Sequence, residues 1–80
     1  MNQCPCCENF TIKGEGDYDI CKVCFWEDDP LGLIYPEEAL GANTVSLNKA
    51  KKNYIEFGAS EKQFLSSVRK PLFEELKENK

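Results

Sequence analysis

The spacing of four cysteines constrains this chain more than any other feature. Cys4 and Cys7 form one Cys-x-x-Cys pair, Cys21 and Cys24 form a second, and thirteen residues separate them. Two such pairs suit a tetrahedral ion, because each tight turn presents two sulfurs and a connecting hairpin brings the turns together. Cys4, Cys7, Cys21 and Cys24 are therefore the expected ligands of one structural zinc ion. Pro5 stiffens the first turn, and backbone amides around each turn can donate to the sulfurs and stabilise their charge. Iron is the main competitor, since a rubredoxin-like site uses the same four sulfurs, but no sequence feature points to electron transfer. Cys6 could replace either neighbour as a ligand. The two-residue gap matched in the second pair favours Cys4 and Cys7 and leaves Cys6 as a spare thiol.

A chain of 80 residues makes one domain with a modest core, so it needs a staple, either disulfide or metal. The start Met1-Asn2-Gln3 carries no basic or apolar leader, and no later run is apolar enough to span a bilayer. A reducing, cytoplasmic setting is therefore expected, which favours thiolates on a metal. Histidine is absent, which removes the usual general base, the Cys–His dyad and the usual catalytic zinc sets. Two Cys-x-x-Cys pairs in so short a chain also lack the βαβ context of a redox motif. No enzyme is expected.

The expected fold class is a small α+β metal-bound domain, a zinc-ribbon-like β-hairpin with two Cys-x-x-Cys knuckles followed by two to three α-helices. Residues 1–27 form the ribbon-like module, with Phe10-Thr11-Ile12 and Tyr18-Asp19-Ile20 as strands around a Gly14–Asp17 turn. Phe25 and Trp26 then cover the site or pack in the small core. Residues 28–43 read as a long loop, broken by Pro30, Gly32, Pro36 and Gly41, with one helical turn at Glu37–Leu40. Residues 44–80 are the helical part. Ser46 caps a first helix whose apolar face is Leu47, Ala50, Tyr54 and Phe57, and Gly58 ends it. Ser60 with Gln63 reads as a capping box opening a second helix over Phe64, Leu65 and Val68. Pro71 interrupts it, and Leu72, Phe73 and Leu76 suggest a last short helix fraying into Lys77–Lys80.

The net charge of −4 is unevenly spread. Residues 1–43 hold nine acidic groups against Lys13 and Lys22, whereas residues 44–80 hold eight basic groups against five acidic ones. Four thiolates on a divalent ion would make the first half more negative still, and phosphate backbones would be repelled there. The candidate partner-binding residues are Trp26, Glu27, Asp28, Asp29, Leu33, Tyr35, Glu37 and Glu38, which with Ile34 combine carboxylates and large anchors. For the apolar members, packing onto the ribbon is an equally open reading.

The blocks Cys4-Pro5-Cys6-Cys7, Tyr18–Asp29, Gly41-Ala42-Asn43, Ser46-Leu47-Asn48, Asn53-Tyr54 and Phe57-Gly58-Ala59 resemble the bacterial cysteine-rich CPCC proteins. The resemblance covers roughly residues 4–70 and weakens at Pro71-Leu72-Phe73-Glu74. It implies a metal-binding domain. Some similar proteins lie near toxin loci where small acidic proteins act as immunity factors. The expected function is thus a zinc-binding protein-interaction module, an immunity protein that neutralises a basic nuclease-type toxin by direct binding. One alternative is a nucleic-acid-binding zinc ribbon using Lys49, Lys51, Lys52, Arg69 and Lys70. The other is a rubredoxin-like electron-transfer protein.

Overall fold

Two residues with side chains sit in left-handed backbone at matching places: Glu8 at φ 68° and Phe25 at φ 69°, each four positions after the first cysteine of a pair. The computed structural model, which describes residues 1–79, is organised by the two turns they close. In the first, Cys4 N donates to Asn9 O at 2.8 Å and Glu8 N donates to Cys4 O at 2.8 Å. In the second, Cys21 N donates to Trp26 O at 3.0 Å and Phe25 N donates to Cys21 O at 2.7 Å. The same bonds therefore close both turns.

Each turn reverses the chain onto itself. The first joins β1 (Asn2–Gln3) to β2 (Phe10–Ile12) as an antiparallel pair, with Asn2 opposite Ile12 and Gln3 opposite Phe10. The second brings Ile20 opposite Glu27 in a single bridge, extended by Tyr18 N donating to Asp28 O and Asp28 N to Asp19 O. The expected hairpin between residues 10–12 and 18–20 is thus corrected: these segments pair locally, each across its own cysteine turn. Carboxylates hold the intervening turn instead, with Asp19 Oδ2 accepting from Lys13 N at 2.9 Å and Asp28 Oδ2 accepting from Gly16 N at 2.7 Å.

Residues 28–43 are more ordered than a loop. Pro30 starts a short helix, α1 (Pro30–Ile34), capped by Asp29, whose Oδ1 accepts from Leu31 N at 2.9 Å. The helical turn expected at Glu37–Leu40 reduces to a bend closed by Glu38 N donating to Tyr35 O. The main helix, α2 (Leu47–Phe57), begins and ends as its sequence dictates: Ser46 Oγ accepts from Lys49 N at 3.1 Å, and Gly58 terminates it at φ 90°. Its Leu47 and Ala50 enter the core formed by the cysteines, Ile12, Val23 and Trp26, with Tyr54 packed at its edge.

The second and third helices are not formed as α-helices. Residues Lys62–Phe64, Phe73–Glu75 and Lys77–Asn79 are single 3-10 turns. Ser60 does not cap a helix: its hydroxyl is buried and accepts from no amide among the described residues, and its backbone is pinned from both sides, the N–H donating to Cys24 O at 2.7 Å and the carbonyl accepting from Asn53 Nδ2 at 2.8 Å. Gln63 turns to Glu61 Oε1 instead of reaching back to Ser60. The segment is a strap tied to both turns, through Arg69 N to Lys22 O and Lys77 N to Asn9 Oδ1. The last residue of the expected frayed tail, Lys80, lies outside the described residues.

Candidate metal centre

The equivalent folding of the two turns brings four sulfurs together. The Sγ atoms of Cys4, Cys7, Cys21 and Cys24 all lie within 4.8 Å of one another, and all four residues are buried. Cys4 and Cys24 are 3.6 Å apart, and Cys7 and Cys21 are 3.7 Å apart. An ion held by four thiolates at about 2.3 Å in a tetrahedron has sulfur–sulfur edges of about 3.8 Å. A disulfide requires sulfurs about 2.05 Å apart, and all five cysteines are free thiols. The donor set therefore fits a metal ion, and the cluster is a site that could hold one.

The surroundings favour negative charge on one sulfur in particular. Cys21 Sγ is met by the Thr11 hydroxyl at 2.9 Å and by the amides of Val23 at 3.4 Å and Cys24 at 3.5 Å. Hydrogen bonds from Cys24, Cys4 and Cys7 hold the Cys21 thiol well below the ordinary range, with Thr11 adding to the effect. Its neighbour Cys24 moves the opposite way, pushed up chiefly by its hydrogen bond with Cys21, and Cys4 rises for the same first reason. Such outer partners orient ligands and tune affinity. Thr11 reads in the sequence only as a strand residue, and no local motif marks its contact ten positions away.

Cys6 lies in the same core, 4% exposed, but outside the four-sulfur group. It lines a small cavity with Cys7, Glu8, Lys51, Tyr54, Ile55 and Lys77. Phe25 is half-buried and stacks obliquely on Phe64 with ring centroids 4.7 Å apart. Trp26 is buried and makes the close contact that admits α1, because a Cβ on Gly32 would stand 2.7 Å from its ring.

Burial divides the candidate partner-binding residues. Trp26, Asp28 and Asp29 are 2%, 0% and 3% exposed, which corrects their assignment to a contact surface: Trp26 fills the core, and the two aspartates fasten loops. Asp29 is the tighter fastener. Besides capping α1 it accepts from Ala42 N through Oδ2 at 2.6 Å, so one carboxylate closes both ends of residues 30–42. Glu27 is half-buried, and its backbone N–H and carbonyl both pair with the Asn43 side chain, at 3.0 and 2.8 Å. Leu33, Tyr35, Glu37 and Glu38 are exposed. The basic residues of the nucleic-acid alternative are divided: Lys49, Lys51 and Lys52 lie on α2, whereas Arg69 is engaged by Glu75 at 2.8 and 2.9 Å.

No described helix is long and apolar enough to cross a membrane. Comparison with known families matches residues 2–75 to the one described as Cysteine-rich CPCC. No curated protein matches the chain significantly.

Proposed function

This chain belongs to the cysteine-rich CPCC family, and from that premise and the four-sulfur cluster we propose that it is a non-catalytic binding module held together by one zinc ion. The single observation that carries the metal is the sulfur spacing of 3.6 and 3.7 Å across two equivalent turns. A four-thiolate set is complete and leaves no position for substrate or water, which makes the role structural. Zinc is the ion of choice because buried thiolates bind it strongly and no other group in the chain suggests redox work. Bound zinc would neutralise the sulfurs that otherwise repel one another and would join the turns, binding energy becoming folding energy.

The binding half of the reading rests on charge. The first 43 residues are strongly acidic, and an acidic surface gains steering and specificity from a cationic protein partner. Neutralisation of a basic nuclease-type toxin is the biological form we infer, and charge complementarity is what supports it. The deciding measurement is metal content by mass spectrometry on chain purified under reducing conditions, together with survival of cells challenged by a candidate toxin. One zinc per chain and protection are expected. A red, iron-containing product would replace zinc by the electron-transfer reading, and salt-sensitive retardation of nucleic acid would replace the protein partner.

A further inference from the structure

Helix α1 is built inside out. Its one buried residue is Gly32, seated on the Trp26 ring, while Leu31, Leu33 and Ile34 are 38%, 47% and 63% exposed. A short helix normally turns its apolar side chains to the core, and an exposed apolar patch rimmed by polar groups marks an interaction site. Here the patch runs on through Tyr35, and an open groove of about 430 Å³ beside it is lined by Ile34, Tyr35, Pro36, Glu37 and Glu38.

We propose that this groove is the docking site of the module and that it receives a protein segment with apolar anchors flanked by lysine or arginine. The inference rests on the reading of the chain as a binding module and places that binding. Charge selects the occupant. No lysine or arginine occurs between Lys22 and Lys49, and neither Glu37 nor Glu38 forms an ion pair among the described residues. Cations from a partner would therefore meet carboxylates that no lysine or arginine pairs with among the described residues. Anionic lipid and a symmetric second copy would both set like charges together. The contrast with Ile55 is instructive: it is 85% exposed, but its cavity is shared with Lys51 and Lys77.

The groove is also formed in advance. Asp29 holds both ends of residues 30–42, Asn43 fixes Glu27, and Asn48 N donates to Pro36 O at 2.9 Å. Little ordering remains for binding to offset.

The test places the photocrosslinker p-benzoylphenylalanine at Leu33 or at Ile55 in the full chain, in the cells that make it, and identifies the cross-linked peptide by mass spectrometry. The Leu33 probe is expected to capture one segment with an excess of lysine and arginine that the Ile55 probe does not. Glu37→Lys with Glu38→Lys should cut that capture at least tenfold, and a synthetic copy of the segment should bind more weakly as salt rises. Metal content is read on every sample, and Glu37→Gln with Glu38→Gln is used if the lysine variant loses metal. A neutral or acidic captured segment, a cross-link to a second copy or to lipid, or indifference to charge reversal would overturn the proposal. So would the absence of capture by metal-loaded chain. Capture by chain that holds no metal would leave the groove standing and remove the zinc reading.

Discussion

Glu8 and Phe25 adopt one backbone conformation, φ 68° and 69°, at equivalent places in two turns that share no other residue type but cysteine. In each, the N–H of the left-handed residue donates to the carbonyl of the first cysteine four positions back, and its positive φ turns the following residue so that its carbonyl accepts from the N–H of that same cysteine. Holding a side chain there costs on the order of 1 kcal/mol or more. Glu8 is exposed and its contact with Lys77 Nζ is a loose 3.5 Å. Glu8→Gly should therefore leave stability unchanged or raise it by up to about 1 kcal/mol, whereas Glu8→Val should lower it by about 1–3 kcal/mol. Denaturant unfolding of the metal-loaded chain checks both, and equal effects would refute the assigned strain.

Metal removal is expected to dismantle the N-terminal half. Neither the two-stranded pair nor the single bridge at Ile20 and Glu27 can stand alone, and the core is built on the cysteines themselves. A strong chelator, or Cys21→Ser, should abolish the cooperative thermal transition or lower its midpoint sharply. A transition indifferent to chelation would rule out a structural metal.

Thr11 tests the surroundings of the ligands. Thr11→Val removes the hydroxyl 2.9 Å from Cys21 Sγ while keeping the side-chain volume. Metal affinity should fall about tenfold, with Thr11→Ser restoring most of it. Competition against a chromophoric chelator reads the change, and identical affinities for all three chains would mean that the contact contributes nothing.

Gly32→Ala pits two effects against each other. Replacing glycine in a helix is worth up to about 1 kcal/mol of unfolded-state entropy, but the new methyl would stand 2.7 Å from the buried Trp26 ring. Overpacking against a side chain that cannot withdraw costs about 1–3 kcal/mol, so net destabilisation and a perturbed Trp26 fluorescence are expected. A stabilised variant would show that α1 can lift from the ring.

Asp28 gives stability a pH dependence of definite sign. Burial pushes its carboxyl above the usual aspartate range, with Glu15, Asp17 and Asp19 adding to the rise against the opposing Gly16 amide. A group raised in the folded state contributes stability that is present below its unfolded pKa and lost as pH climbs through the folded value. The wild-type chain should accordingly gain stability relative to Asp28→Asn as pH falls from neutrality toward the ordinary aspartate pKa. Parallel slopes for the two chains in denaturant titrations at several pH values would exclude the shift.

The parts of this molecule legible in its sequence are those written in local rules. The cysteine spacing announces the four-sulfur group, and Ser46, the Leu47–Ala50–Tyr54 stripe and Gly58 delimit α2 to the residue, because caps and periodicity act within a few positions. Ser60 misleads because its backbone N–H and carbonyl are claimed by Cys24 and Asn53 while its hydroxyl is buried without a partner among the described residues, an arrangement that no local pattern reveals. The strand pairing was hidden for a related reason: left-handed backbone at Glu8 and Phe25, residues that do not advertise it, sends each chain segment back on itself. Asp28 and Asp29 read in the sequence as carboxylates for a partner and are fasteners, since a carboxylate can replace missing ladder bonds when amides converge on it.

The double grip of Asp29 has a consequence for how such a chain can change over generations. One carboxylate seals the base of residues 30–42, and most of the side chains between the seals point into solvent rather than into the sulfur core. Apart from Gly32, which seats on the Trp26 ring, and Gly41, where a side chain would meet the Asp29 carboxylate, substitutions there would leave the sulfur core untouched, so this stretch is free to diversify. The two cysteine turns and Asp29 are held still by folding itself. The architecture thus separates an evolvable segment from an inherited frame.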